Sequence, residues 1–291
     1  VNGDGTSDYV YGSPKGLKPQ VIAIDGRTNS VIFHQALGYE GDPTLTAGVF
    51  VAVGDINKDG YGDIASSYGD GGANGYLEVY SGKRGNVLLE QHLQKESGAG
   101  NARVAIGDLY GDGMPEILVA EGLAKVKINV YNVVQNPLYA GANNLSVPQY
   151  ALSIQPINSI AGVGGTLTTS PGINIATADM NGDGKDEIVA GSETLPVIKI
   201  IDVAASNALW AEIRLDKDDV TSKAYSHGVR VAARPGQVIA ASGRGGAEVR
   251  IYSINRVKNP VPGTSAILQK LNPSKSNRFG TANPVGGFYA G

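Results

Sequence analysis

Three observations predict an all-β chain made of repeated antiparallel sheets. Glycine accounts for 41 of the 291 residues, about twice its usual share, and a mid-helix glycine costs about 1 kcal/mol against alanine. The apolar residues fall in short alternating runs with β-branched and aromatic enrichment, the period-two signature of strands. The same run of segments then returns five times along the chain.

Each unit reads as a strand ending in Gly-Asp, an acidic loop, an aliphatic strand ending near Gly, and a charged-alternating third strand. The second copy is VFVAVGD (Val49 to Asp55), INKDGYG (Ile56 to Gly62), DIASSYG (Asp63 to Gly69) and GYLEVYSG (Gly75 to Gly82). The third is ARVAIGD, LYGDGMP, EILVAEG and VKINVYN, over Ala102 to Asn132. The fourth is INIATAD, MNGDGKD, EIVAGSE and VIKIIDV, over Ile173 to Val203. The fifth, Gly228 to Ile254, keeps its strands and has Arg234-Pro235-Gly236 where the acidic loop would stand. The first begins inside its loop at VNGDGTS and continues through DYVYGSP and QVIAIDG. Fourth strands are predicted at Ser30 to Leu37, Asn86 to Leu93, Asn207 to Leu215 and Ala266 to Leu271.

The third strands end at Asp25, Ser81, Asn132, Asp202 and Ser253, spaced by 56, 51, 70 and 51 residues, and a step from Ser253 round to Asp25 would be 63. Such near-equal steps without remainder describe a ring, and radial repetition of four-stranded sheets protects their edges. The expected fold is therefore a single five-bladed β-propeller. Its blades span 1–45 with 286–291, 46–98, 99–168, 169–224 and 225–285. The C-terminal GGFYAG (Gly286 to Gly291) reads as an innermost strand that closes the first blade. The chain starts at Val1 without an initiator Met, which reads as a processed or excised N-terminus. The long step places an excursion between blades at 135–172, a candidate binding loop.

Composition excludes several function classes. A net charge of −3 from 24 basic and 27 acidic residues offers no basic field for nucleic acid. No apolar run is long enough to insert in a membrane. With no cysteine there are no disulfides and no thiolate metal sites.

Three loops share one spacing of oxygen-bearing residues. Asp55, Asn57, Asp59, Tyr61 and Asp63 occupy positions 1, 3, 5, 7 and 9 of the first. Asp108, Tyr110, Asp112, Met114 and Glu116 fill the second in the same way, and Asp179, Asn181, Asp183, Lys185 and Glu187 the third. Gly60, Gly113 and Gly184 hold position 6. This is a calcium-loop pattern: hard side-chain oxygens at 1, 3, 5 and 9, a backbone carbonyl at 7, and a glycine for the sharp turn. It is not an EF-hand, because position 12 is Ser66, Val119 or Ala190 rather than Glu and both flanks read as strands. A fourth, partial loop offers Asn2, Asp4, the Thr6 carbonyl and Asp8, with position 1 falling before Val1. Together the ligand positions of these loops hold 11 of the 27 acidic residues, so the expectation is three calcium sites, with a fourth less complete, whose occupancy is coupled to folding.

The stretch VAVGDINKDGYGDI, with Gly12-Ser13-Pro14 after the first unit's second strand, resembles FG-GAP/VCBS repeats. Those repeats occur in integrin alpha-subunit propellers and secreted bacterial proteins. Gly245 to Ser253 and Ala47 to Ala52 look most like the bacterial branch. The resemblance implies calcium in the loops joining first and second strands, and an extracellular setting, secreted or at a cell surface. Tyr110 departs from the usual Asn or Asp at position 3.

No catalytic constellation stands out. His34, His92 and His227 form no metal triad by spacing, and no nucleophile elbow is present. Trp210 lies in an alternating strand and reads as core, whereas Tyr39, Tyr68, Tyr139 and Tyr150 read as loop or edge residues suited to recognition. The leading expectation is a non-catalytic module for structural assembly or adhesion, meeting a protein or glycan partner or a second copy of itself. A carbohydrate-binding lectin and a polysaccharide lyase or hydrolase acting at the channel mouth are the alternatives.

Overall fold

A computed structural model describes residues 1–38, 45–46, 48–70, 74–94, 102–121, 127–138, 148–153, 158–161, 172–215, 228–242, 248–253 and 275–278. The described residues are all-β, with no helix, and hence none long and apolar enough to cross a membrane. Two compact units divide the chain. One comprises Val1–Ile106, Met114–Gly122 and Lys127–Ser159, and the other Gly107–Gly113, Leu123–Val126 and Ile160–Gly291.

In chain order the first strands are β1 (Tyr9–Gly12), β2 (Gln20–Ile24) and β3 (Val31–Ala36), joined as one antiparallel sheet. Then come β4 (Phe50–Gly54), β5 (Asp63–Gly69), β6 (Asn74–Tyr80) and β7 (Val87–Gln94), again in sequential order. A third sheet starts with β8 (Arg103–Gly107), β9 (Glu116–Glu121) and β10 (Lys127–Tyr131). After β11 (Val133–Gln135) and β12 (Tyr150–Leu152), that sheet is completed by β13 (Asn158–Ala161) on the edge of β10. The second unit contains β14 (Ile173–Ala178), β15 (Glu187–Ser192), β16 (Val197–Asp202) and β17 (Ala208–Arg214) in one sheet. Its other sheet is β18 (Val229–Arg234), β19 (Gln237–Ser242), β20 (Glu248–Ser253) and β21 (Lys275–Arg278).

Two sheets depart from a uniform four-strand pattern, and one of them, that of β1 to β3, has three described strands. The sheet of β4 to β7 has six strands, because β11 and β12 form a hairpin whose Tyr150 pairs in parallel with Leu89 of β7. Leu152 is buried in the same core as Leu77 and Leu89, which anchors the hairpin there and covers an otherwise open edge. In the last sheet the strand beside β20 is Lys275–Arg278. The strand expected at 266–271 lies outside the described residues, as do Gly286–Gly291, His227, Tyr39, Tyr139 and most of 135–172.

Strand alternation sorts the core into faces. Along β5, Ile64 and Tyr68 enter a cluster with Val21, Ala23 and Tyr80, whereas Ala65 enters one with Leu77, Ile117 and Val119. Apolar layers therefore sit on both faces of this sheet, and every residue of β5 is buried. In the second unit Val189, Ile198, Trp210, Val231 and Tyr252 make a corresponding layer between its two sheets, so Trp210 is a core residue. Tyr68 is a core residue too, correcting its reading as an edge residue. Its hydroxyl and that of Tyr80 both donate to the buried Glu78 carboxylate. By contrast β1, the second strand of its unit, leaves Tyr9 and Tyr11 more than half exposed and has β2 as its partner among the described strands.

Replacing Leu77, which has no exposed surface, by Ala should cost about 2–5 kcal/mol. Leu138→Ala, at a residue 75% exposed, should stay within about 0.5 kcal/mol. Chemical denaturation of the full chain measures both.

Candidate metal centre

The candidate loops connect the first and second strands of a sheet. Pairing of Gly54 with Asp63 and of Ala178 with Glu187 places the position-9 residue opposite the end of the first strand. The chain must reverse between these pairs, and it does so through left-handed residues at two places in every loop. Position 6 is Gly5, Gly60, Gly113 or Gly184, with φ between 76° and 88°. Position 4 is Gly3, Lys58, Gly111 or Gly182, with φ between 59° and 84°. The requirement at position 6 was legible in the sequence; that at position 4 was obscured by Lys58, a residue that rarely adopts this conformation.

The side chains at positions 1, 3 and 5 turn back onto their own loop. Asn57 Oδ1 accepts the Asp59 N–H at 3.0 Å, and Asp59 Oδ1 accepts the Tyr61 N–H at 3.1 Å. Asn2 and Asp4 repeat this with Asp4 and Thr6, and Asn181 and Asp183 with Asp183 and Lys185. Asp55, Asp108 and Asp179 each accept the N–H of the position-6 glycine, at 2.8, 2.7 and 3.2 Å. These bonds gather oxygen donors within one turn of chain, with Asp112, Gly113 and Met114 exposed.

Position 9 behaves differently. Asp63, Glu116 and Glu187 are 0–2% exposed. One carboxylate oxygen takes the N–H at position 2, from Ile56 to Asp63 at 3.1 Å and Met180 to Glu187 at 2.7 Å, and Asp8 takes the Val1 ammonium in an ion pair at 2.9 Å. The other oxygen of Asp8 and of Asp63 takes the N–H of Gly26 or Gly82, just beyond the third strand. Position 2 itself is an apolar plug, since Ile56, Leu109 and Met180 are buried. A β-bulge recurs in the third strand between Ala23 and Ile24, Val79 and Tyr80, and Ile200 and Ile201. Each lies just before the strand-end residue Asp25, Ser81 or Asp202 and re-aims it.

At the fourth repeat that residue becomes a further candidate ligand. Carboxylate oxygens of Asp183, Glu187 and Asp202 all lie within 4.8 Å of one another. No other three acidic or imidazole groups among the described residues converge so closely, so positions 1, 5 and 9 of the loops at 55–63 and 108–116 stand further apart. Asp202 was missed because it is remote from the loop in sequence; its place at a third-strand end, shared with Asp25, was the available signal. Two of the position-7 side chains pack between loops: Tyr61 lies against Gly3, and the Lys185 stem against Gly111.

Electrostatics oppose leaving these groups bare. Burial pushes the Glu187 carboxyl up to about 8, against N–H bonds from Met180 and Asn181 and with help from the Asp202 and Asp183 charges. Burial likewise pushes Asp63 up to about 6, with Asp59 and Asp55 adding to it and the Gly82 and Ile56 N–H groups opposing. An all-oxygen set without Cys or His, with like charges drawn together at low exposure, fits a hard divalent cation rather than zinc.

Comparison with known proteins adds a partial match. No family model matches the chain. Integrin alpha-IIb of Mus musculus is 28% identical over 152 residues, covering 44% of this chain and 14% of the integrin. Part of the chain is thus similar to an integrin alpha subunit, whose length it spans only in small part. Among solved structures, a protein of unknown function from Bacteroides caccae aligns over 94% of this chain and 73% of its own, at 12% identity and a TM-score of 0.49. The Bacillus licheniformis rhamnogalacturonan lyase PL11 aligns over 88% and 48%, at 15% identity and 0.45. The Dos1 propeller aligns over 92% and 55%, at 11% identity and 0.45.

In the metal-free protein, Asp63 and Glu187 keep protons that their unfolded counterparts have released. The folded state then binds more protons, so stability falls as pH rises through about 6 for Asp63 and about 8 for Glu187. With a chelator present, the melting temperature should be higher at pH 6 than at pH 8.5. Glu187→Gln should flatten the upper part of that dependence, and thermal melting across pH checks both.

Proposed function

We propose that the chain is a calcium-stabilised β-propeller module of the FG-GAP/VCBS type, non-catalytic, serving structural assembly or adhesion outside the cell. The observation that carries this reading is the recurrence of one loop architecture, in which a buried position-9 carboxylate ties down position 2 while oxygens at 3 and 5 accept N–H groups of their own loop. Calcium would be held by Asp55, Asn57, Asp59, Asp63 and the Tyr61 carbonyl in one loop. Asp108, Asp112, Glu116 and the Met114 carbonyl would hold it in the next, with Tyr110 contributing no side-chain carboxylate. Asp179, Asn181, Asp183, Glu187 and the Lys185 carbonyl form the third set, now joined by Asp202. Asn2, Asp4, Asp8 and the Thr6 carbonyl make a fourth, partial set. The ion supplies positive charge that cancels carboxylate repulsion and locks each hairpin. The similarity of part of the chain to an integrin alpha subunit supports the same reading.

Closure of five blades by Gly286–Gly291 belongs to this proposal. Support comes from β1, whose Tyr9 and Tyr11 are exposed although the equivalent strands β5 and β15 are buried throughout. A strand added at that edge would complete the first sheet to four. Deleting residues 286–291 should therefore lower the melting temperature and raise the tyrosine accessibility of Tyr9 and Tyr11 to chemical labelling. An unchanged melt and labelling pattern would remove the closure.

For the ions, metal-stripped protein is titrated with calcium while its melting is followed. Binding to the folded state alone adds about 2.7 kcal/mol per site at one hundred times Kd, so a rise of many degrees is expected. No rise and no bound ion would sink the calcium assignment. For the partner, a glycan array together with a sedimentation test of self-association separates adhesion through protein contacts from sugar binding.

A further inference from the structure

Asp186 stands at position 8 of the loop 179–187, where the ligand pattern asks for nothing. Its carboxylate Oδ2 accepts the N–H of Asp108 at 3.1 Å, and its own N–H donates to the Asp108 carbonyl at 2.8 Å. The Asp179 backbone adds a hydrogen bond to the same carboxylate. One side chain thus holds the position-1 residues of two loops. The approach depends on Gly107, since a Cβ there would lie 2.8 Å from Asp186 Oδ2 and 2.6 Å from Thr177 Oγ1. A second contact runs alongside, because a Cβ at Gly111 would lie 2.9 Å from Lys185 Cγ. The equivalent position-8 residues in the other loops are Ser7, Gly62 and Pro115, none of them acidic, so this link is particular to one pair.

We propose that Asp186 is a positioning residue that couples the loops 108–116 and 179–187, so that a divalent cation bound in one raises the affinity of the other. The proposal rests on the calcium reading above. Position 1 organises each loop, since Asp108 accepts the N–H groups of Gly111, Asp112 and Gly113, and Asp179 those of Gly182 and Gly184. An ion that fixes Asp108 fixes the N–H and carbonyl to which Asp186 is bonded. Asp186 is flanked by the Lys185 carbonyl and the Glu187 carboxylate, two donors of the neighbouring site, which are then ordered before their own ion arrives. Binding free energies couple reciprocally, so the effect runs equally in the other direction.

The test uses the full chain and calcium alone, reading the Gly113 and Gly184 amide resonances as separate reporters of the two loops. Asp112→Asn cripples the first loop and should weaken calcium binding at Gly184 by about five-fold or more. Asp183→Asn should weaken binding at Gly113 by the same factor. In an Asp186→Ala background both cross-effects should vanish, whereas Asp186→Asn, which keeps an acceptor oxygen, should retain them. Equal Gly184 affinities with and without Asp112→Asn in otherwise unaltered protein would overturn the coupling while leaving calcium binding intact, and this comparison does not depend on the Asp186 variants folding. Persistence of the cross-effects in Asp186→Ala would overturn the role of Asp186. Silence of both amides towards calcium would overturn the calcium reading and the coupling with it.

Discussion

The buried carboxylate at the start of each second strand is the interaction on which the rest of the loop depends. Asp63 and Glu187 each receive the N–H at position 2, Asp8 the Val1 ammonium there, and Asp8 and Asp63 also receive an N–H from beyond the third strand. A hairpin turn of this length leaves backbone donors without strand partners, and buried donors left unpaired cost about 1–3 kcal/mol each. Asp63 satisfies one such donor in the turn, Ile56, and a second beyond the third strand, Gly82, which ties the third strand's end to the loop. With position 2 pinned, its apolar side chain is driven into the core, as Ile56 and Met180 are. The oxygens at 3 and 5 meanwhile bond N–H groups of their own loop, and Asn181 at position 3 is buried.

The same arrangement carries an electrostatic cost that no hydrogen bond removes. Asp183, Glu187 and Asp202 converge where burial already disfavours charge. A proton or a cation can relieve this, and the two compete for the same oxygens. Stability and acidity are therefore linked through a few side chains, and an ion bound there would add its binding free energy to folding. Within each unit two loops touch, through Tyr61 on Gly3 in one and Asp186 on Asp108 in the other.

Sheet edges are managed by local additions. The hairpin of β11 and β12 lies on β7 through parallel pairing and is held by Leu152 in the core. Nothing about the strand pattern of 133–152 announces this, because three-residue strands carry too little alternation to show which edge they join. Tyr68 was misplaced for a related reason. A tyrosine near a strand end reads as a surface residue unless its hydroxyl has a buried partner, and Glu78 is ten residues away on the adjacent strand.

Period-two alternation, the glycine load and the repeated Gly-Asp strand ends determined by themselves that the chain is all-β and where most strands lie, because each signal is local. Three full loops and one partial loop with oxygen-bearing residues at fixed spacing were equally legible, since that pattern spans nine residues. Tertiary structure alone decided the role of position 9 as a buried hub, the convergence of Asp202 on Asp183 and Glu187, and the bond from Asp108 to Asp186. These join residues from different strands or different repeats, and spacing along the chain carries no record of distance across a sheet or between neighbouring loops.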